Sequence, residues 1–177
     1  MLFCMYDGSM FIIKSINIYE NEGLSVKREE VFKNMMETLY ESSRLIHLYE
    51  SVPRKYGTDD ELYMVEVHTL DLIGRHGKIT TTEIAEINNR TTSAASQMVE
   101  KLIKKELVHK YRNPKNFREL LIELTEKGEI VYEYHKNLDD VEYNIHLERL
   151  EEYSTEDFEK LMQIVKMINE GVEKALP

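Results

Sequence analysis

Apolar residues recur at helical spacing over most of this chain and alternate, as they do in strands, over one short stretch. From Ser25 to about Tyr49, Val31, Met35, Leu39, Ile46 and Tyr49 fall near one face with Phe32, Met36, Tyr40 and Leu45 beside them. An apolar face that broad needs two packing partners, one of them expected to be a second subunit. Pro53 stops this helix, and Gly57-Thr58-Asp59-Asp60 predicts a turn and an acidic start to a second helix, roughly Glu61 to His76. Thr80, followed three residues later by Glu83, predicts a capping box and a short helix with Ile84, Ala85 and Ile87 on its inner face. Asn88-Asn89-Arg90 suits a turn, because asparagine tolerates left-handed backbone. The next helix begins near Thr91 or Thr92, with Ala95, Met98, Val99, Leu102 and Ile103 as its buried stripe. Beyond Leu107 and Val108 two strands flank Asn113-Pro114-Lys115-Asn116, the second alternating through Leu120, Ile122 and Leu124. Thr125 caps a long helix to about Leu150, striped by Ile130, Val131, Tyr134, Leu138, Val141 and Ile145, with Asp139, Asp140 and Glu142 off the stripe. Ser154 caps a last helix carrying Phe158, Leu161, Val165, Ile168 and Val172.

Strand, helix, turn, helix and two strands, in that order from Ile79 to Thr125, make a winged helix-turn-helix inside a mainly α chain. The expected organisation is an amino-terminal extension (1–24) and a single domain (25–177) with its winged part at about 61–125. Long helices at about 25–50 and 126–175 flank that part. Their continuous apolar stripes suit a homodimer, which would set two recognition helices about one DNA turn, ~34–36 Å, apart. An intramolecular bundle has difficulty leaving the recognition helix exposed.

Charge sharpens this picture. The chain is acidic, net −10, yet residues 90–118 hold eight Lys or Arg against two acids, a net of +6. The flanks are net −6 (1–89) and −10 (119–177). An acidic protein whose one basic segment coincides with a recognition helix and wing has the electrostatic footprint of a double-stranded DNA binder. Thr92, Ser93, Ala94, Ser96 and Gln97 place small or amide side chains at the amino end of that helix, where base edges come within reach. Lys101, Lys110, Arg112, Lys115, Asn116 and Arg118 are the expected phosphate and groove contacts.

The block from Leu107-Val108 through Asn116-Phe117-Arg118 to Leu124-Thr125-Glu126-Lys127-Gly128 resembles the MarR family, whose wing carries Asp-x-Arg followed by Leu-Thr-x-x-Gly. The resemblance runs from about Val31 to the carboxyl terminus and implies a homodimeric repressor or activator, here expected to be a ligand-responsive repressor, that reads a pseudo-palindrome and has an effector pocket between the dimer helices and the DNA-binding lobes. Two positions depart from the pattern. Glu106 stands where the family has the glycine that ends the recognition helix, so a left-handed cap there would cost on the order of 1–2 kcal/mol or give way to another ending. Asn116 replaces the aspartate that holds the wing arginine, which leaves Arg118 less rigidly aimed. Val65 to Gly74 further resembles the fatty-acid-synthesis repressors of this family, which implies a response to acyl chains; a small aromatic anion is the other effector the family implies. Tyr40, Arg44, His68 and Tyr134 are the ligand candidates.

Other chemistry is less well supported by the residues. His68 and Asp71 lie one turn apart, and His47, His135 and His146 are available as further ligands, but no two histidines show a zinc-site spacing, and no metal or cofactor is expected. No Gly-rich phosphate loop, nucleophile elbow or His-Glu-x-x-His is present, so no enzymatic activity is expected. Cys4, the single cysteine, lies well before the first long helix, away from where an oxidant sensor of the family places its thiol. No apolar run approaches the ~20 residues that span a membrane, and the expected location is cytoplasmic. The reading from a different class is an adaptor that uses the winged domain to bind protein.

Overall fold

The computed structural model describes residues 28–175 and, of the preceding segment, the backbone of two short strands, β1 (Met5–Tyr6) and β2 (Ser9–Met10), paired antiparallel. The apolar residues Phe11, Ile12, Ile13, Ile16 and Ile18 of the amino-terminal extension, and the expected helix start at 25–27, lie outside the described residues. The chain forms two compact units, Met1–Ile46 and His47–Pro177. Most of α1 (Arg28–Glu50) belongs to the first, and none of its residues is buried.

The second unit opens with an antiparallel pair, β3 (Arg54–Lys55) and β4 (Glu61–Leu62), whose turn includes Gly57 in the left-handed region. A side chain at 57 would be strained by its φ and would meet Ile130 and Tyr134 at 3.1–3.2 Å. The pairing corrects the expected start of the second helix. Glu61 and Leu62 are strand residues, and α2 runs Met64–His76, with the Tyr63 N–H donating to the Glu66 carboxylate at 2.9 Å.

Next come β5 (Ile79–Thr80), α3 (Thr81–Ile87), α4 (Thr92–Lys104), β6 (Val108–Asn113) and β7 (Asn116–Leu124). The three strands form an antiparallel sheet in the order β5-β7-β6, with Ile79 opposite Ile122 and Val108 opposite Leu124. Local chemistry explains the boundaries. The Thr80 hydroxyl accepts from the Glu83 N–H at 3.2 Å while the Glu83 carboxylate accepts from the Thr80 N–H at 2.7 Å. The Thr80 backbone bond, then its hydroxyl, hold the Glu83 carboxyl below its ordinary range. Asn89 is left-handed, as the α3–α4 turn requires.

Around this sheet Leu62, Val67, Leu70, Ile73, Ile79, Ile84, Val99, Leu102, Leu107, Ile122 and Val131 close one core. Ile87 is not among them. It is 51% exposed, since the seven-residue α3 turns only Ile84 and Ala85 inward. Leu120 is exposed too, because β7 continues past the core towards the hairpin tip. The helix α5 (Glu126–Arg149), capped by Thr125, gives the core only Gly128, Val131 and His135. The last helix, α6 (Thr155–Glu173), capped by Ser154, buries nothing. Among the described residues no helix is long and apolar enough to cross a membrane.

Candidate nucleic-acid interface

The Thr91 hydroxyl accepts the Ala94 N–H at 3.2 Å and starts α4. From that end Thr92, Ser93, Ala94 and Gln97 are exposed, followed by Lys101 and Lys104, while Ala95, Val99 and Leu102 are buried beneath. Ser96, expected beside them, is half-buried. The outward face therefore has a smooth amino end able to approach base edges and a cationic end further along.

The carboxyl end is pinned by contacts that sequence separation hides. Lys105 closes α4, and Glu106 adopts φ 60°. The Glu106 and Leu107 N–H groups donate to the carbonyls of Ile103 and Leu102 at 2.9 and 3.0 Å, a Schellman ending with glutamate in the glycine position. The first turn of α5 is laid against it. Thr125 Oγ1 donates to the Glu106 carbonyl at 2.7 Å, Lys127 Nζ to the Lys105 carbonyl at 2.8 Å, and the Thr125 N–H to the Leu107 carbonyl at 3.1 Å. A Cβ on Gly128 would sit 2.0 Å from that last carbonyl, so the glycine of Leu-Thr-x-x-Gly permits the close approach.

Glu66 was not singled out by any sequence pattern, yet its carboxylate is fully buried. Its Oε1 lies 2.7 Å from Lys105 Nζ and 3.4 Å from Lys101 Nζ, without a well-directed hydrogen bond, and its Oε2 takes the Tyr63 N–H. Lys105 Nζ also donates to the Glu61 carbonyl at 2.9 Å, and Lys101 Nζ stands 5.1 Å from the centre of the Tyr63 ring. Thus α2 grips α4 by two of its cations, and Lys127, bound to the Lys105 carbonyl, is itself paired with Asp60 at 2.8 Å.

Wing cations fall into two groups. Lys110 reaches Glu100 at 3.6 Å and, like Lys101, is paired with a carboxylate. Arg112, Lys115 and Arg118 have no ion pair among the described residues and stand exposed at the hairpin end. The tip is held from within. Arg112 Nη1 donates to the Phe117 carbonyl at 2.8 Å, the Lys115 N–H donates to Asn113 Oδ1 at 3.0 Å, and Asn113 Nδ2 donates to Glu119. Asn116 Oδ1 accepts the backbone N–H of Arg118 at 3.3 Å, fixing that residue's backbone while its guanidinium stays outside the bond.

The four ligand candidates divide between the two units. Tyr40 is exposed on α1, and Arg44 forms a salt bridge with Glu41 at 2.6 Å. In the second unit the His68 and His135 rings are 5.4 Å apart, and Tyr56 meets the rings of His135 and Tyr134 edge-on at 6.0 and 6.3 Å. His135 is buried, and burial holds its imidazole below the ordinary range against the pull of Asp139, whose carboxylate is 3.5 Å away. A cavity of about 460 Å³ runs from His68, Val65 and Thr69 on α2 past Arg90 to Ala94 and Met98 on α4. Among the described residues no three His, Cys, Asp or Glu side chains converge as a metal site.

Comparison with known proteins agrees with this architecture. The MarR family model matches residues 62–120. The HTH-type transcriptional regulator PchR of Bacillus subtilis (strain 168) is 26% identical over 110 residues, 62% of this chain and 65% of its own length, so the chain spans just under two thirds of that relative. Two solved structures share the fold. FabT of Streptococcus pneumoniae, in complex with DNA, aligns with a TM-score of 0.61 at 15% identity over 84% of this chain and 99% of its own. ZitR of Lactococcus lactis, a zinc-responsive MarR family member, aligns with 0.62 at 20% identity over 80% and 99%.

Proposed function

We propose, from the MarR-family domain at residues 62–120 and the surface built on it, that this protein is a transcription regulator that reads a pseudo-palindromic operator as a homodimer. One observation carries the reading: the exposed amino end of α4 and the unpaired wing cations Arg112, Lys115 and Arg118 belong to one winged lobe. Ser93, Ala94, Ser96 and Gln97 choose the sequence, with Thr92 at the helix start, while the wing neutralises phosphate and enters the minor groove. Lys101 and Lys110 join once they exchange their carboxylate partners for phosphate. A selection of bound duplexes from random DNA should enrich one pseudo-palindrome. On that site Gln97→Ala should cost about 1–3 kcal/mol at one base step of each half-site, and Arg118→Ala should weaken binding to every sequence and reduce the salt slope by about 2, one for each subunit. No enrichment, with salt-insensitive capture of a protein, would instead establish the adaptor.

An effector in the α2–α4 cavity would touch the recognition helix directly, and it shifts DNA binding only if it prefers one arrangement of that helix. Arg90 and His68 on the wall, with Glu50 also on it, are the groups that would meet a small aromatic anion. Of the residues that resemble the fatty-acid-synthesis repressors, Val67, Leu70, Leu72 and Ile73 are spent on the core, while Val65, His68 and Thr69 line the cavity, only the first of them apolar. Repeating the selection with a phenolic acid and with acylated carrier protein separates the two effectors.

A further inference from the structure

Phe117 is 70% exposed at the end of the wing, with no apolar cover among the described residues. Single exposed apolar side chains are common, and most need no explanation. This one differs in its mounting. The Phe117 carbonyl is bonded by Arg112, the next residue's N–H is bonded by Asn116, and Asn113 ties Lys115 on one side and Glu119 on the other. The β6–β7 register is irregular at Arg112/Asn113, and past it Phe117 and Arg118 are both exposed at the tip. The hairpin thus presents a large ring from a braced backbone among Arg112, Lys115 and Arg118, which have no acid partner among the described residues. A partner matched to both properties is polyanionic and has a narrow apolar recess. The minor groove of duplex DNA, with phosphate edges and deoxyribose walls, has both, and apolar side chains do enter it.

We propose that Phe117 is a DNA-contacting residue whose ring packs against the minor-groove wall beside Arg118, adding a contact that salt does not screen. The proposal rests on the DNA-binding reading above. The test uses the full chain and its selected operator across a range of salt. Phe117→Ala should lower affinity about tenfold at every salt concentration and leave the slope of log affinity against log salt unchanged, because no charge is lost. Phe117→Leu should keep most of the affinity. Hydroxyl-radical protection of minor-groove sugars flanking the recognition-helix contacts should be lost in Phe117→Ala and kept in Phe117→Leu. Thermal stability should stay at the wild-type value, since the ring is in solvent. Binding by Phe117→Ala within twofold of wild type, or a changed salt slope, overturns the contact and leaves the regulator intact. A wild-type chain that binds no duplex overturns both.

Discussion

A glutamate held at φ 60° carries a cost that glycine does not. At Glu106 the Cβ crowds its own backbone in the left-handed region, by roughly 1–2 kcal/mol. The bonds from Thr125, Lys127 and Leu107 at this corner keep it there. Glu106→Gly should therefore raise stability by about 1 kcal/mol, less the extra freedom glycine gives the unfolded chain, read as a higher urea midpoint at unchanged slope. A midpoint at or below wild type would mean that the corner accommodates the side chain without strain. Single residues were most legible where the partner lies within three positions, as in the caps at Thr80, Thr125 and Ser154. The departure at Glu106 could be seen as well, because a missing glycine is visible, but not its resolution. Whether a left-handed glutamate survives depends on what α5 brings to it.

At the scale of elements, the recognition helix is set by the sheet beneath it and by one buried carboxylate. Removing a partner from a buried ion pair leaves charge without solvent. Glu66→Ala should destabilise the lobe by about 3 kcal/mol, the low end for such pairs because Lys101 is half in water and Lys105 is not fully enclosed. Glu66→Gln, which keeps the acceptor for Tyr63, should lose less. Urea denaturation of both variants measures this, and a loss below about 1 kcal/mol for Glu66→Ala would show that the ammonium groups are already served by water. Periodicity reveals which face of a helix is apolar and cannot reveal such a pair, because an acid on α2 and two lysines on α4 leave no repeating signal. The β3–β4 pair escaped for a related reason. Two-residue strands contain no alternation to detect, so Glu61 and Leu62 read as the start of a helix. Longer patterns, those of α4, α5 and α6, were placed to within a residue or two because several turns of evidence add up.

For the whole molecule, three long helices carry apolar stripes that stand exposed among the described residues. Val31, Phe32 and Ile46 on α1, Leu138, Val141 and Ile145 on α5, and Leu161 and Val172 on α6 are all exposed. These are the positions whose helical spacing marks them as inward-facing, while the core is complete without α6 and without the outer half of α5. A second copy of the chain satisfies both observations, because it covers the stripes without adding to the lobe. Leu161→Asp combined with Val172→Asp should therefore convert a dimer into a 21.0 kDa monomer in sedimentation while leaving the lobe's unfolding intact. Operator affinity should then fall steeply, since a monomer holds one recognition helix against one half-site and loses the gain of engaging both. A wild-type chain that already sediments as a monomer would refute this account. A double variant that stays dimeric would move the interface off α6 and onto the stripes of α1 and α5.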